Sequence, residues 1–171
     1  MKTEVRPRPI AAAEVLPENG DRLIDQFGRV FDYLRVAVNE KCNLRCIYCM
    51  PEEGMVWLPK EQILSFEEIA RVVRVTSDLG FDSYHLTGGE PLLRKEIDRL
   101  VRMMLEISPD MDLALTTNGI LLADQVAALR AAGLPRITVS LDTLDPERFK
   151  ALTRFDSLDA VLAGLDQAAN A

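Results

Sequence analysis

The stretch Tyr33–Pro51 reads YLRVAVNEKCNLRCIYCMP. Its first seven residues alternate. Leu34, Val36 and Val38 share one face, and Arg35, Ala37 and Asn39 share the other, the pattern of a strand with one apolar side. A loop follows that carries Cys42, Cys46 and Cys49 in a CxxxCxxC spacing, and the chain has no other cysteine. Three soft thiolates this close together can grip one metal centre but cannot complete a four-thiolate site. An iron–sulfur cluster held this way keeps one iron open to a ligand that is not protein.

Other uses of three cysteines fit less well. A disulfide framework needs an even count and an exporting context. A structural zinc site takes four protein ligands, and the only histidine, His85, is distant in sequence. A redox CxxC pair needs no third thiol. Zinc and redox chemistry stay open on spacing alone.

Outward from this stretch, strands and helices alternate. Ser65 begins a helix with Glu68 three residues on, the spacing of a capping box, and Gly80 suits its end. Strands are expected over 82–87, 112–118 and 136–142, with helices over about 95–107 and 124–132. Asp145-Pro146 supplies an N-cap and a proline at the first helical position, and a last amphipathic helix carries Leu158, Val161, Leu162 and Leu165. Four βα units in a row predict an α/β fold with a parallel sheet.

The two faces of these strands differ. One carries Leu34/Val36/Val38, Tyr84/Leu86, Leu113/Leu115 and Ile137/Val139/Leu141, suited to lie under helices. The other carries Arg35/Asn39, His85/Thr87, Thr116/Asn118 and Thr138/Ser140/Asp142. A doubly wound sheet is apolar on both faces. A polar face therefore points to a partial barrel whose lumen holds a ligand at the C-terminal strand ends. The alternative is that strand ends are polar because loops begin there.

Composition sets bounds. Hydrophobic residues make up 48% and charged residues 27%, as in ordinary globular proteins. A net charge of −7 argues against a general nucleic-acid surface. No apolar run approaches the roughly 18–20 residues needed to cross a membrane. Residues 1–22 carry charges and prolines where a signal peptide needs an apolar stretch, and read as a flexible tail before a core of 23–171. Unpaired cysteines without an export signal imply a reducing cytoplasm.

The cysteine loop, with Tyr48 as the aromatic residue before the last cysteine, resembles the radical S-adenosylmethionine (SAM) superfamily. LTGGEP (Leu86–Pro91), TTNG (Thr116–Gly119) and VSLD (Val139–Asp142) follow in the order seen in the family of GTP 3′,8-cyclases, which begins molybdenum cofactor synthesis. The similarity runs from about Leu23 to Leu165, and GRVFDYLRVAVNEKCNLRCIYCMP is its most distinctive part. It implies a radical SAM barrel truncated to about four βα units. It implies that Cys42, Cys46 and Cys49 bind a [4Fe–4S] cluster. It implies that Tyr48, Gly88, Gly89, Glu90 and Ser140 contact SAM, with the backbone and the carboxylate of the GGE turn holding the methionine amino group. Arg35, His85 and Thr116 then face GTP, and a reducing electron donor is required. A homodimer is left open.

Arg35 is expected to be buried in the lumen, where a guanidinium needs an anion: a triphosphate, a purine edge, or an internal carboxylate such as Asp142. His85 stands where the family usually has arginine, and would hold phosphate less firmly; it could equally be a satisfied core residue. The family's barrel has two more βα units and a C-terminal region with three further cysteines, so the chain is expected to be a fragment, poorly stable alone and inactive as a cyclase. The alternatives are another radical SAM enzyme, such as one of peptide maturation, or a non-catalytic cluster-binding remnant.

Overall fold

The computed structural model describes residues 22–51 and 55–171. The proposed tail lies, except for Arg22, outside the described residues. Four strands, β1 (Tyr33–Ala37), β2 (Ser83–Thr87), β3 (Asp112–Thr117) and β4 (Arg136–Val139), pair in sequence order, and every pairing is parallel. The sheet is open, four units of a barrel wall rather than a closed ring.

Helices α1 (Phe66–Asp78), α2 (Ile97–Ile107), α3 (Leu122–Ala131), α4 (Pro146–Thr153) and α5 (Leu158–Ala169) complete the alternation. Short 3₁₀ turns lie at Lys60–Gln62 and Pro91–Leu93. The α1 capping box is present: Ser65 Oγ accepts from Glu68 N, and the Glu68 carboxylate accepts from Ser65 N. Helix α2 starts later than expected because Glu96 adopts left-handed backbone, φ 58°. Asp145 caps α4 by accepting from Arg148 N at 2.9 Å. The segment after β4 divides into two helices where Arg154 turns left-handed, φ 66°.

Alternation along each strand decides which side is covered. Val38, Tyr84, Leu86, Leu113 and Leu115 are buried against Ile69 and Val73 of α1, Leu100 and Met104 of α2, and Leu122 and Leu129 of α3. A second cluster joins Phe149, Leu158 and Val161 beside β4. The opposite face is the polar one, and its outer strands lie open to solvent: Tyr33, Arg35 and Ala37 on β1, and Arg136 and Thr138 on β4, are exposed. The expectation of a buried Arg35 is therefore corrected. In an open sheet its guanidinium reaches water. Asp142, its suggested partner, accepts from Tyr48 instead.

The register aligns Arg35, His85, Ala114 and Arg136 in one row across the sheet, with Thr116 beside Thr138 further along. Among the described residues, no helix is long and apolar enough to cross a membrane.

Candidate cluster and nucleotide site

The cysteine loop leaves β1 at the C-terminal end of the sheet and is held from several sides. Leu44 and Met50 anchor it as buried side chains. Cys49 N and Met50 N both donate to Cys46 O, at 2.9 and 3.0 Å, which winds the last cysteine back over the second. Arg45 N and Ile47 N donate to Thr153 O and Leu152 O at the end of α4. Arg45 Nη1 donates to the carbonyls of Cys42 and Leu44, at 2.7 and 2.8 Å. These bonds keep three free thiols on one short, partly exposed arc.

Among the described residues no three His, Cys, Asp or Glu side chains converge on a single-ion position. The donor set suits a different centre. A cube takes each thiolate on a separate iron, so its ligands need not share one atom. Burial raises the Cys46 thiol pKa, partly offset by a hydrogen bond from Tyr48. A bound cation would reverse that preference and favour the thiolate.

The GGE turn follows β2 and packs against the start of this loop. Gly89 N donates to Asn39 O at 2.9 Å, and Glu90 N donates to Lys41 O at 2.7 Å. A Cβ on Gly88 would lie 2.3 Å from Asn39 O, and one on Gly89 would lie 2.3 Å from Lys41 O. The paired glycines are thus required by the chain's own backbone, whatever ligand also approaches. Asn39 Nδ2 donates to Glu90 O at 2.9 Å. Its Oδ1 is buried without a partner among the described residues.

Glu90 is 1% exposed, and its carboxylate is occupied inside the chain. Oε1 accepts from Leu92 N at 2.9 Å and from Thr117 Oγ1 at 2.7 Å, and Oε2 accepts from Asn118 N at 2.7 Å. Burial raises its pKa, and these three donors pull the other way. The carboxylate ties the end of β2 to the end of β3, while the Glu90 backbone is tied to Lys41 and Asn39 of the cysteine loop.

Tyr48 and Ser140 stand at the same end. Tyr48 OH donates to Asp142 Oδ2 at 2.6 Å, and this bond is the main cause of a raised phenol pKa. Ser140 is exposed, and its N–H donates to Thr117 O at 2.9 Å, which continues the β3–β4 pairing one step past β4. Of the three residues expected to face substrate, the structure joins His85 and Thr116, with Nε2 and Oγ1 2.5 Å apart, and places Arg35 beside His85 in register. Desolvation first, then the charges of Arg35 and Arg136, lower the His85 pKa, so its imidazole is neutral at pH 7.

Four residues make hydrogen bonds around the site that the sequence did not specify: Asn39, Asn43, Asn118 and Arg94. The first three sit inside quoted motifs, but nothing in their spacing shows which way an amide points. Arg94 lies on the far side of the GGE turn. It donates to the Val38 and Leu64 carbonyls and stacks 4.4 Å from the Phe66 ring centre.

Comparison with known proteins bears on the family and the fold. The sequence model of the Radical SAM superfamily matches residues 36–171. GTP 3′,8-cyclase of Campylobacter jejuni (strain RM1221) is 49% identical over 148 residues, 86% of this chain and 46% of that protein. GTP 3′,8-cyclase of Sulfurimonas denitrificans is 49% identical over 146 residues, 85% of this chain and 46% of that protein. The chain thus spans about half the length of these curated relatives. Among solved structures, Streptococcus suis SuiB bound to S-adenosylmethionine superposes with a TM-score of 0.59 at 24% identity, over 74% of this chain and 27% of that one. Methylornithine synthase (PylB) superposes with a TM-score of 0.60 at 19% identity, over 83% and 42%. At these identities the structures show the shared fold. The match over most of its length establishes that this chain belongs to the radical SAM superfamily.

Proposed function

We propose that the chain forms the cluster- and SAM-binding part of a GTP 3′,8-cyclase, acting in molybdenum cofactor biosynthesis. One observation carries this reading. The thiol loop, the GGE turn, Asn118 and the Tyr48–Asp142 pair meet at the C-terminal end of one parallel sheet, in a chain about half identical to such cyclases.

In this reading Cys42, Cys46 and Cys49 hold a [4Fe–4S] cluster. Tyr48, Ser140 and the Gly88–Glu90 turn hold SAM. The buried Asn39 Oδ1 has no donor among the described residues, and the ammonium of a methionine moiety has donors to give. When bound, the cluster and SAM supply one-electron cleavage of a sulfonium, and hence hydrogen-atom abstraction from the substrate. An external electron donor is needed.

The chain's own residues position and select. Arg35, His85 and Thr116 line the open face next to the thiol loop. Arg35 supplies fixed positive charge for the phosphates of GTP. His85, neutral at pH 7, gives Thr116 a hydrogen-bond partner and contributes orientation rather than charge. The row Arg35, His85, Ala114, Arg136 keeps bulk off its third position, where alanine leaves room over the sheet.

The test begins with anaerobic reconstitution using iron and sulfide. About four irons per chain, and an electron paramagnetic resonance signal that changes on adding SAM, are expected. GTP binding should then weaken on Arg35→Ala while SAM binding holds. Zinc uptake in preference to iron, or a spectrum indifferent to SAM, would overturn the proposal.

A further inference from the structure

We infer that Asn118 is a positioning residue for Cys42: its side-chain amide donates toward the Cys42 sulfur and makes the bound cluster easier to reduce. This rests on the cluster reading above. No role attaches to Asn118 from the motif resemblance, and its geometry is specific.

The two halves of its amide do different work. Oδ1 accepts from Ile120 N at 3.1 Å, closing a turn of the kind Asn side chains make with the backbone two residues on. That bond fixes the amide plane, so Nδ2 must face the thiol loop. There it donates to Asn43 Oδ1 at 2.7 Å and lies 3.8 Å from Cys42 Sγ. The backbone is held too, because Asn118 N donates to Glu90 Oε2 at 2.7 Å. Glu90 is in turn held by Thr117 Oγ1 and Leu92 N. A second donor reaches the same sulfur, Leu44 N at 3.4 Å.

Cys42 is therefore a thiol toward which two N–H groups point, one of them from the loop after β3. Hydrogen bonds to a cluster's sulfur ligands raise its potential, because the reduced, more negative form gains more from them. Asn43 Oδ1 takes one of the two hydrogens on the same Nδ2, and this shorter bond sets where the amide sits. The Asn43 carbonyl holds the amide at a long distance from sulfur, and removing it leaves Cys42 as the acceptor.

Two neutral variants test this with opposite expected signs. Asn118→Ser keeps an oxygen able to accept from Ile120 N but loses the donor to Cys42. Asn43→Ala removes the Asn43 acceptor and keeps the donor. Both are made in the cluster-reconstituted chain and titrated anaerobically, following the reduced signal by electron paramagnetic resonance. At fixed applied potential, Asn118→Ser should lower the reduced-to-oxidised ratio about three- to tenfold, where tenfold equals about 59 mV for one electron. Asn43→Ala should raise the ratio. A purely structural role would not move the two variants in opposite directions.

Equal potentials in all three proteins, or shifts of the same sign, overturn the inference. If Asn118→Ser takes up no cluster, the direction of the Asn43→Ala shift decides alone. If the unmodified chain itself takes up no iron–sulfur cluster, the cluster reading falls and this inference with it. A wild-type cluster that titrates normally beside unshifted variants removes only the role given to Asn118.

Discussion

Replacing Gly89 with alanine is the sharpest test of how the site is assembled. The added methyl would lie 2.3 Å from Lys41 O, 2.5 Å from Glu40 O and 2.6 Å from Lys41 C, all backbone atoms. No rotamer change relieves such contacts; the turn or the cysteine loop must retreat by about 1 Å to reach ordinary van der Waals distance. That retreat takes the Glu90 N–H to Lys41 O bond, now 2.7 Å, beyond hydrogen-bond range and strains the Gly89 N–H to Asn39 O bond. Two hydrogen bonds at about 1 kcal/mol each, plus about 1–3 kcal/mol of overpacking, give a loss of roughly 3–5 kcal/mol. With a urea slope of about 2 kcal/mol/M, the unfolding midpoint should fall by roughly 1.5–2.5 M. Far-ultraviolet circular dichroism reads the transition. Gly28→Ala is the control: φ there is +80°, but nothing lies within 4 Å of a new Cβ. It should lose only the left-handed backbone preference, about 1–2 kcal/mol. A Gly89→Ala midpoint no lower than that of Gly28→Ala would refute the claim that the chain's own backbone demands glycine at 89.

Three further outcomes follow from the same geometry. Burial raises the Glu90 pKa, so the fold holds its proton more tightly than the unfolded chain; its contribution is full below pH 4.5 and is lost as pH rises through the folded value. Glu90→Gln should flatten that part of the stability–pH curve measured by urea unfolding. His85 is depressed below 6.5 by desolvation, then by Arg35 and Arg136, so its contribution is present above 6.5 and lost as pH falls through the folded value. As the only histidine, it gives a single imidazole signal by proton NMR, and Arg35→Ala should move its midpoint up toward 6.5. Arg94→Lys replaces a planar fork, which reaches the Val38 and Leu64 carbonyls from two separate nitrogens, with one ammonium nitrogen on a shorter side chain. A loss of about 1–3 kcal/mol is expected, seen as a fall in Tm of roughly 3–10 °C in a calorimetric scan.

The sequence by itself determined which side of every strand is covered. A period of two admits only two assignments, and the apolar set at Val38, Tyr84, Leu86, Leu113 and Leu115 left one of them. It also determined the capping of α1 and α4, because a serine or aspartate at the N-cap acts over three residues. The three-thiol donor set was legible for the same reason: it is local, and its chemistry lies in residue type and count.

The tertiary structure decided what depends on approach between distant segments. The need for glycine at 88 and 89 arises from residues 39–41, about fifty positions away in the chain. The bonds that the Glu90 carboxylate accepts from Thr117 and Asn118 join segments that the motif alone does not bring together. Arg35 looked buried because its strand face is polar and inward, yet four strands do not close a ring, and its guanidinium remains in water. Asn118 and Asn43 meet across seventy-five residues, and an amide's direction follows from its neighbours in space rather than from its place in a motif.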